Sequence, residues 1–254
     1  LIASVLYNYI QISQFYINKL KLSSRKLINS FKITHISDFH SNERIDLDKL
    51  FSEIKKFEPD LIVFTGDIID SKTEDLYLAF KLLENCKKVT ENIYFVSGNH
   101  ETLNNRRKEF LDGLKSNNIV ILDDTSVIFE HNSNKINLLG ASFFADKEDY
   151  NKIFKGLSEE NYNLLLSHSP NRPIRYLDNR IDLILSGHTH GGQVRLPLIG
   201  GIVAPGQGLF PKYDKGIINL GNTIMYIDSG LGNSVLPIRL FNRVQITNIE
   251  IEPE

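Results

Sequence analysis

The feature that most constrains the fold of this chain is a series of short apolar runs, most of which end in a turn that carries Asp, Asn or His. Six runs have the length of a β-strand, at residues 31–37, 61–65, 92–97, 136–141, 162–167 and 182–186. The turns after five of them contain Asp38 and His40, Asp67 and Asp70, Asn99 and His100, His168, and His188 and His190. Because ligands of strand–helix folds bind beyond the carboxyl ends of the strands, this pattern predicts a functional site there.

Helical periodicity between the early runs indicates the fold class. Apolar residues at 47, 50, 51, 54 and 57 give one helix an apolar face, and further helices are predicted near 74–89 and over 105–116. The second half is typical of antiparallel hairpins, 126–131 with 135–140 and 216–220 with 223–228, and the tail from 244 to 252 alternates like an edge strand. We predict an α/β fold of the α+β type, a four-layer αββα sandwich of two stacked mixed sheets flanked by helices.

Composition excludes several classes of protein. Of the 254 residues, 29 are Lys or Arg and 31 are Asp or Glu, so the net charge of −2 excludes a domain that binds nucleic acid through bulk positive charge. The single cysteine, Cys86, excludes an intrachain disulfide and a cysteine-rich zinc module. It lies on the apolar side of its predicted helix, and we interpret it as a small core residue.

The first 30 residues differ from the rest of the chain. No charged residue precedes Lys19, and four basic residues then follow before the first acidic one, Asp38. One interpretation is the end of a membrane anchor with a basic flank, followed by the first strand, and the other is a lead-in that packs on the domain. We expect residues 31–254 to form one domain, attached to a membrane through an N-terminal segment missing from this chain. The side of the membrane stays open, and without an anchor we expect a cytoplasmic protein.

The residues in the turns form a set of metal-binding side chains. Asp carboxylates, an Asn carbonyl and neutral imidazoles suit a borderline divalent metal such as Mn, Fe or Zn. Seven such side chains exceed what one ion needs, whereas two ions that share a carboxylate would use them all. Candidate ligands are therefore Asp38, His40, Asp67, Asn99, His168, His188 and His190. The two histidines outside these turns, His35 and His131, are interpreted as a packed strand residue and a hairpin-turn residue.

Taken in order, Asp-x-His, Gly-Asp-x-x-Asp, Gly-Asn-His-Glu, a lone His and Gly-His-x-His resemble the calcineurin-like metallophosphoesterase superfamily. The motifs extend over about residues 31 to 192. The later segments GHTHGGQVRLP, SGLG and LPIRLFN are similar to a bacterial subgroup of the YkuE type, which is membrane-tethered or associated with the cell wall.

This resemblance implies a role for each matching residue. One metal ion would be held by Asp38, His40 and His190, and the other by Asn99, His168 and His188, with Asp67 as the bridge. His100 would face the leaving group as a general acid or as a cation in the transition state. Asp70 would orient His100, with Glu101 as the alternative orienting residue. Asp70 is also placed to cap a helix that begins after Thr73.

The expected function is that of a hydrolase acting on ester or anhydride phosphate bonds. The resemblance implies attack by a metal-bound hydroxide on a phosphomonoester, phosphodiester or pyrophosphate, with a lipid-linked or envelope substrate among the candidates. The alternative is a scaffold that binds metal without catalysis. Residues 196–213 are apolar and rich in glycine, and we interpret them as a structural loop or as a lid near the metals. Arg195 and Lys212 flank this loop as candidate phosphate-binding residues or as solvated charges.

Overall fold

The computed structural model describes residues 2–233 and 236–254, so Leu1, the first residue of the predicted lead-in, lies outside the described part of the chain. The helices are α1 (Ile2–Ser13), α2 (Leu47–Phe57), α3 (Tyr77–Lys87), α4 (Asn99–Leu103), α5 (Arg107–Ser116), α6 (Lys147–Ile153) and α7 (Asn171–Arg175). The longer strands are β1 (Tyr16–Ser24), β2 (Phe31–Ile36), β3 (Leu61–Phe64), β4 (Ile93–Phe95), β6 (Thr125–His131), β7 (Asn134–Ala141), β8 (Tyr162–Ser167), β9 (Leu183–Ser186), β14 (Gly216–Leu220), β15 (Thr223–Ile227) and β16 (Gln245–Pro253). Two-residue strands are β5 (Val120–Ile121), β10 (Arg195–Leu196), β11 (Gly200–Gly201), β12 (Val203–Ala204) and β13 (Gly208–Leu209).

Two mixed six-stranded sheets form the centre of the fold. The first has the strand order β1-β16-β2-β3-β4-β5, and the second has the order β14-β15-β9-β8-β7-β6. Strands β2 to β5 run parallel, as do β7, β8, β9 and β15, whereas β6 and β14 are antiparallel edges. Both predicted hairpins, β6–β7 and β14–β15, are confirmed.

Three apolar clusters show that the fold has four layers. Between the sheets, Phe31 and Ile33 of β2 belong to one buried cluster with Leu138 of β7 and Leu164 of β8. Helices α2, α3 and α5 cover the outer face of the first sheet, and α6 covers that of the second. The predicted αββα sandwich of two stacked mixed sheets is therefore confirmed.

Helix α2 illustrates why the local sequence specifies its element. The Asp46 carboxylate accepts a hydrogen bond from the Lys49 amide at 2.9 Å and caps the first turn. Leu50 and Ile54 are buried against the sheet, and Glu58 ends the helix with a left-handed backbone at φ = +53°. Helix α3 begins only at Tyr77, so the prediction that Asp70 caps a helix after Thr73 is wrong.

The tail strand β16 is not an edge strand, and this prediction is wrong. It lies inside the first sheet, parallel to β1 on one side and antiparallel to β2 on the other. Two polar residues near its start, Gln245 and Thr247, face a buried network rather than solvent. Thr247 donates to the Asp228 carboxylate at 2.5 Å and Gln245 donates to it at 3.0 Å.

The N-terminal residues and the apolar loop also have defined structure. The side chain of Asn42 joins α1 to the domain by donating to the Ile12 carbonyl at 3.2 Å, and β1 forms the outer edge of the first sheet. Residues 195–209 form two short antiparallel pairs, β10–β11 and β12–β13. In the described ranges, no helix combines the length and apolar character that crossing a membrane requires.

Candidate metal centre

The polar turns after five strands meet at one place between the sheets. Asp38 follows β2 and Asp67 follows β3 in the first sheet, while His168 follows β8 and His188 follows β9 in the second. Asn99 begins α4, directly after β4. Because parallel strands of both sheets end at the same side, side chains that are distant in sequence become neighbours. The structure therefore brings the predicted site residues together at the strand ends.

Many of the candidate ligands have a strained backbone. Left-handed φ angles of +48° to +70° occur at non-glycine positions Asp38, His40, Asp67, His188 and His190. Each such residue costs about 1–3 kcal/mol and persists only where its surroundings enforce it, and such strain is concentrated at functional sites. Backbone hydrogen bonds enforce it here, since the His40 amide donates to the Asp67 carbonyl at 3.0 Å.

One group of ligand atoms comes from Asp38, His40 and His190. These residues each offer one atom, and the three atoms lie within 4.8 Å of one another. His190 Nε2 is 3.5 Å from Asp38 Oδ1, and His40 Nε2 is 4.0 Å from the same oxygen. Ligands about 2.1 Å from a shared ion are separated by about 3.0–3.4 Å, so these atoms need only small shifts to bind one cation.

A second group comes from Asp67, His168 and His188. Asp67 Oδ2 lies 3.0 Å from His168 Nε2, which in turn lies 3.1 Å from His188 Nδ1. Asp67 Oδ2 is also 3.8 Å from His40 Nε2 of the first group. The Asp67 carboxylate thus lies between the two groups, where a bridging ligand would have to be.

Buried polar atoms without a partner test whether these residues fit metal ions. Both ring nitrogens of His40 and the side-chain oxygen of Asn99 are buried and have no hydrogen-bond partner. An unpaired buried polar group costs about 1–3 kcal/mol, and a bound cation would remove that cost. Imidazole nitrogens together with carboxylate and amide oxygens are the donors that borderline divalent ions accept. The described residues therefore fit divalent metal ions.

Neighbouring groups hold the candidate ligands in position. His168 Nδ1 lies 2.6 Å from the Thr65 carbonyl, so that this nitrogen carries the proton and Nε2 is directed into the site. The Asp38 carboxylate accepts from the Ser37 hydroxyl at 2.5 Å and from the His188 amide at 2.9 Å. Such outer contacts fix the orientation of a metal ligand.

The electrostatics of the second group keep its carboxylate charged. Burial alone would raise the pKa of Asp67, but the adjacent His168, with His40 and His100, holds it well below its usual range. Burial alone would lower the pKa of His168, but Asp67 raises it to about 9. Burial and the charge of His168 lower the pKa of His188 to about 3, so that imidazole is neutral. The Asp67 carboxylate would therefore already be ionised when a cation replaces the proton of His168.

His100 lies beside the centre, at its more open end. Its side chain is 20% exposed, and its Nε2 is 4.0 Å from Asp67 Oδ2. Its Nδ1 lies 2.9 Å from Asp70 Oδ2 and 3.0 Å from the Ser71 amide, which can donate only when Nδ1 is unprotonated. The imidazoles of His40 and His100 hold the pKa of Asp70 well below its usual range. When His100 Nδ1 is protonated, it therefore donates a hydrogen bond to the Asp70 carboxylate. The other ring nitrogen, Nε2, then points away from Asp70.

Glu101 has a different role from the one considered in the sequence. Its carboxylate is buried and accepts hydrogen bonds from the backbone amides of Asp67 and Gly98, each at 2.8 Å, and from Ile68 at 2.6 Å. Burial and the charge of Asp67 raise the pKa of Glu101 to about 7. Its described contacts hold the Asp67 turn against the start of α4, and they do not include His100.

Arg239 is a supporting residue that sequence reasoning missed. It is 1% exposed, and its guanidinium donates to the carbonyls of Ser229 at 2.6 Å and Gly232 at 2.7 Å. The same group lies 3.4 Å from His190 Nδ1. The signal was the arginine inside the apolar segment LPIRLFN, where a buried cation needs many acceptors.

Arg195 and Lys212 lie away from the opening of the site. Arg195 pairs with Asp214 at 2.8 Å and donates to the Gly191 carbonyl at 2.7 Å, so it supports the turn that carries His190. The Lys212 ammonium lies 5.1 Å from the centre of the Tyr213 ring. A cavity of about 400 Å³ opens beside His40 and His100, and the cations in its described lining are Arg44 and Lys72.

Known proteins share both the sequence and the fold of this chain. Residues 31–192 match the family model of calcineurin-like phosphoesterases. The uncharacterised metallophosphoesterase YkuE of Bacillus subtilis is 30% identical over 225 residues, which is 86% of this chain and 78% of YkuE. A Bos taurus transmembrane protein with a metallophosphoesterase domain is 29% identical, over 89% of this chain and 54% of that protein. NAD nucleotidase of Haemophilus influenzae has the same fold, with a TM-score of 0.56 at 18% identity, over 80% of this chain and 46% of the nucleotidase. The chain thus spans only about half of the last two proteins.

Proposed function

Because the chain belongs to the calcineurin-like phosphoesterase family, we propose that its metal-dependent hydrolysis of phosphoesters takes place at two divalent ions. The observation that carries this proposal is the position of Asp67 between two groups of buried donor atoms, one with His40 and one with His168. An ion beside His168 alone would leave both ring nitrogens of His40 unpaired, and an ion beside His40 alone would leave the side-chain oxygen of Asn99 unpaired, which is unfavourable. The proposed chemistry is therefore that of a binuclear phosphoesterase.

We propose that the ligands divide into two sets. One ion, of Mn, Fe or Zn, would be held by Asp38, His40 and His190, and the other by Asn99, His168 and His188, with Asp67 shared. When bound, the two ions supply a hydroxide nucleophile at neutral pH and neutralise the charge on the phosphoryl oxygens. The buried carboxylate of Asp67, whose pKa the neighbouring His168 keeps low, would provide negative charge that attracts the ions, and Asp38 would add to it once it is ionised.

His100 supplies the proton in the proposed reaction. The phosphorus–oxygen bond to the leaving group breaks as a water oxygen bonds to phosphorus, and the departing oxygen needs a proton. His100 Nε2 faces the site while its Nδ1 contacts Asp70 at 2.9 Å, which holds the ring in one orientation. A positioned histidine of this kind acts as a general acid near neutral pH.

Metal loading together with hydrolysis tests this proposal. The purified protein is stripped with chelator and reloaded with Mn²⁺, and bound metal is counted while hydrolysis of bis-p-nitrophenyl phosphate is followed. We expect two equivalents of metal and activity that chelator removes and Mn²⁺ restores. One equivalent at full activity would contradict the binuclear proposal. Metal binding without hydrolysis, across several metals and pH values, would favour the alternative of a scaffold.

We also propose that the protein associates with a membrane through its N-terminal part and acts there on a lipid-linked or envelope phosphate. An apolar face supports this proposal. It is formed by residues 2–18, 194–213 and 236–243, which together contain four Arg or Lys residues and no Asp or Glu. The segments are joined, since the Phe241 amide donates to Tyr7 at 3.1 Å and the Arg195 amide donates to the Leu240 carbonyl at 2.9 Å. Leu209 is 70% exposed and Phe210 63%. Large exposed apolar surfaces of this kind mark interaction sites.

Co-sedimentation with vesicles tests membrane association. We expect the protein to sediment with vesicles that contain anionic phospholipid, and Phe210→Glu to weaken this binding by roughly 10-fold, because burying such a side chain is worth about 1.5–3 kcal/mol. Ile128, which is 64% exposed on the edge strand β6, gives the matched control Ile128→Glu. Equal losses in the two variants, or no sedimentation of the wild type, would contradict the proposal.

A further inference from the structure

A second cavity lies at the other half of the candidate metal centre. It has a volume of about 520 Å³ and is lined by Asn99 and His188, whereas the cavity beside His100 is lined by His40 and Asp70. The two cavities have no lining residue in common among the described residues. A phosphorus atom placed between the two groups of ligands would therefore have room for a substituent on either side.

The lining of the second cavity is aromatic and cationic. Phe143 packs on His188, with 5.2 Å between ring centres, and Phe144 is 55% exposed at the rim. The Arg172 guanidinium lies 5.6 Å from the Phe143 ring centre and 5.9 Å from that of Phe144. Arg172 donates to the Ala145 carbonyl at 2.8 Å, so that its plane is held in place. Arg175 and Tyr176 also line the cavity, and its described lining contains no carboxylate.

These side chains suit a flat aromatic ring with a negative charge nearby. Exposed aromatic rings and a fixed guanidinium can stack on any nucleobase. Each stacked base contributes about 1–3 kcal/mol to the binding free energy. The free N–H groups of Arg172 and Arg175 favour the phosphate to which that ring is attached. An acyl chain would offer no acceptor to the remaining N–H groups of Arg172, so it suits this cavity less well.

We propose that this cavity binds the non-leaving substituent of a phosphodiester or pyrophosphate, and that this substituent carries an aromatic ring of the nucleobase type. The proposal rests on the function proposed above, and it excludes simple monoesters as the preferred substrates because they have nothing to place in the cavity. Water adds to phosphorus, the bond to the leaving oxygen breaks, and His100 protonates that oxygen in the other cavity. The product that keeps the aromatic group is a phosphomonoester, which stays bound by Phe144 and Arg172.

Three esters with the same leaving group isolate the effect of this cavity. They are p-nitrophenyl phosphate, ethyl p-nitrophenyl phosphate and thymidine 5′-(p-nitrophenyl phosphate), which differ only in the non-leaving substituent. We expect kcat/KM of the Mn²⁺-loaded protein to be at least 10-fold higher for the thymidine ester than for the ethyl ester. Phe144→Ala should remove most of this advantage and lower hydrolysis of the ethyl ester far less, whereas Arg172→Gln should lower kcat/KM for both esters because its guanidinium favours the phosphate that they share.

Product binding provides a readout that does not depend on turnover. Calorimetry should detect binding of thymidine 5′-monophosphate that is roughly 10-fold weaker in Phe144→Ala, while the exposed-phenylalanine control Phe210→Ala binds it like the wild type. Equal kcat/KM for the thymidine and ethyl esters, or equal losses of both in Phe144→Ala, would overturn the proposed subsite. Absence of hydrolysis of all three esters, with monophosphate binding intact, would overturn the proposed function and leave the subsite supported.

Discussion

Replacing Asp67 by asparagine is expected to lower kcat/KM by on the order of 10³-fold, because this carboxylate is the one that both groups of donor atoms share. Asparagine keeps the shape of the side chain and an oxygen that accepts from the His100 amide, as Asp67 Oδ1 does at 2.8 Å. It removes the negative charge that faces His168 Nε2 at 3.0 Å and His40 Nε2 at 3.8 Å. Two cations with no carboxylate between them repel each other, so at least one ion should be lost.

The measurement combines metal counting with steady-state kinetics at saturating Mn²⁺. The bound metal should fall from two equivalents to one or fewer, and the residual activity should need much higher Mn²⁺ concentrations. Asp112→Asn is the matched control, because Asp112 is an exposed residue of α5, far along the chain from the strand ends. Unchanged metal content and activity in Asp67→Asn would show that Asp67 does not bridge the two ions.

Replacing His100 by asparagine should lower kcat by about 10²–10⁴-fold for esters with a poor leaving group and far less for esters with a good one. A general acid matters only where the departing oxygen is basic. The family resemblance assigns His100 to the leaving group rather than to a metal ion, although one atom each of His40, Asp67 and His100 also lie within 4.8 Å of one another. We therefore expect the substitution to leave the bound metal unchanged. Diphenyl phosphate and bis-p-nitrophenyl phosphate provide the comparison, since they share a shape and differ in the acidity of the phenol released.

A loss of the same size on both esters would contradict proton donation and would assign His100 the alternative role of a transition-state cation. Asp70→Asn should reproduce the leaving-group dependence with a smaller loss, because the ring then lacks its carboxylate at 2.9 Å. His131→Asn is the control, since His131 ends β6 and pairs with Asp60 at 2.9 Å instead of facing the site.

The strands and turns that carry the site were predictable because their signals are local. A buried parallel strand such as β3 is a run of apolar residues, and the residues directly after it in the chain must lie at its carboxyl end. The family motifs then predicted the grouping of Asp38 with His40 and His190, and the structure places their ligand atoms within 4.8 Å of one another. The left-handed backbone at these turns could not be anticipated, because φ is enforced by hydrogen bonds from other segments.

The sequence was least informative where a polar residue has a partner far away in sequence. Thr247 in β16 resembled the solvent-facing side of an edge strand, but it faces Asp228 in the interior. Arg195 stays a predicted phosphate-binding residue, and the sequence did not indicate that it pairs with Asp214. Thr and Arg side chains occur both at the surface and in buried polar networks. Only the packing of a segment distant in sequence determines which of these environments Thr247 and Arg195 have.

The sequence by itself determined the strands that carry the site, the helices α2, α3 and α5, the family and the set of side chains at the strand ends, since each depends on residues that are close along the chain. Only the tertiary structure decided that Asp67 lies between the two groups, that Glu101 supports the Asp67 turn, and that Phe144 and Arg172 line a second cavity. These properties depend on distances between segments that the sequence separates by tens of residues. Such distances follow from how two sheets pack, which no local pattern specifies.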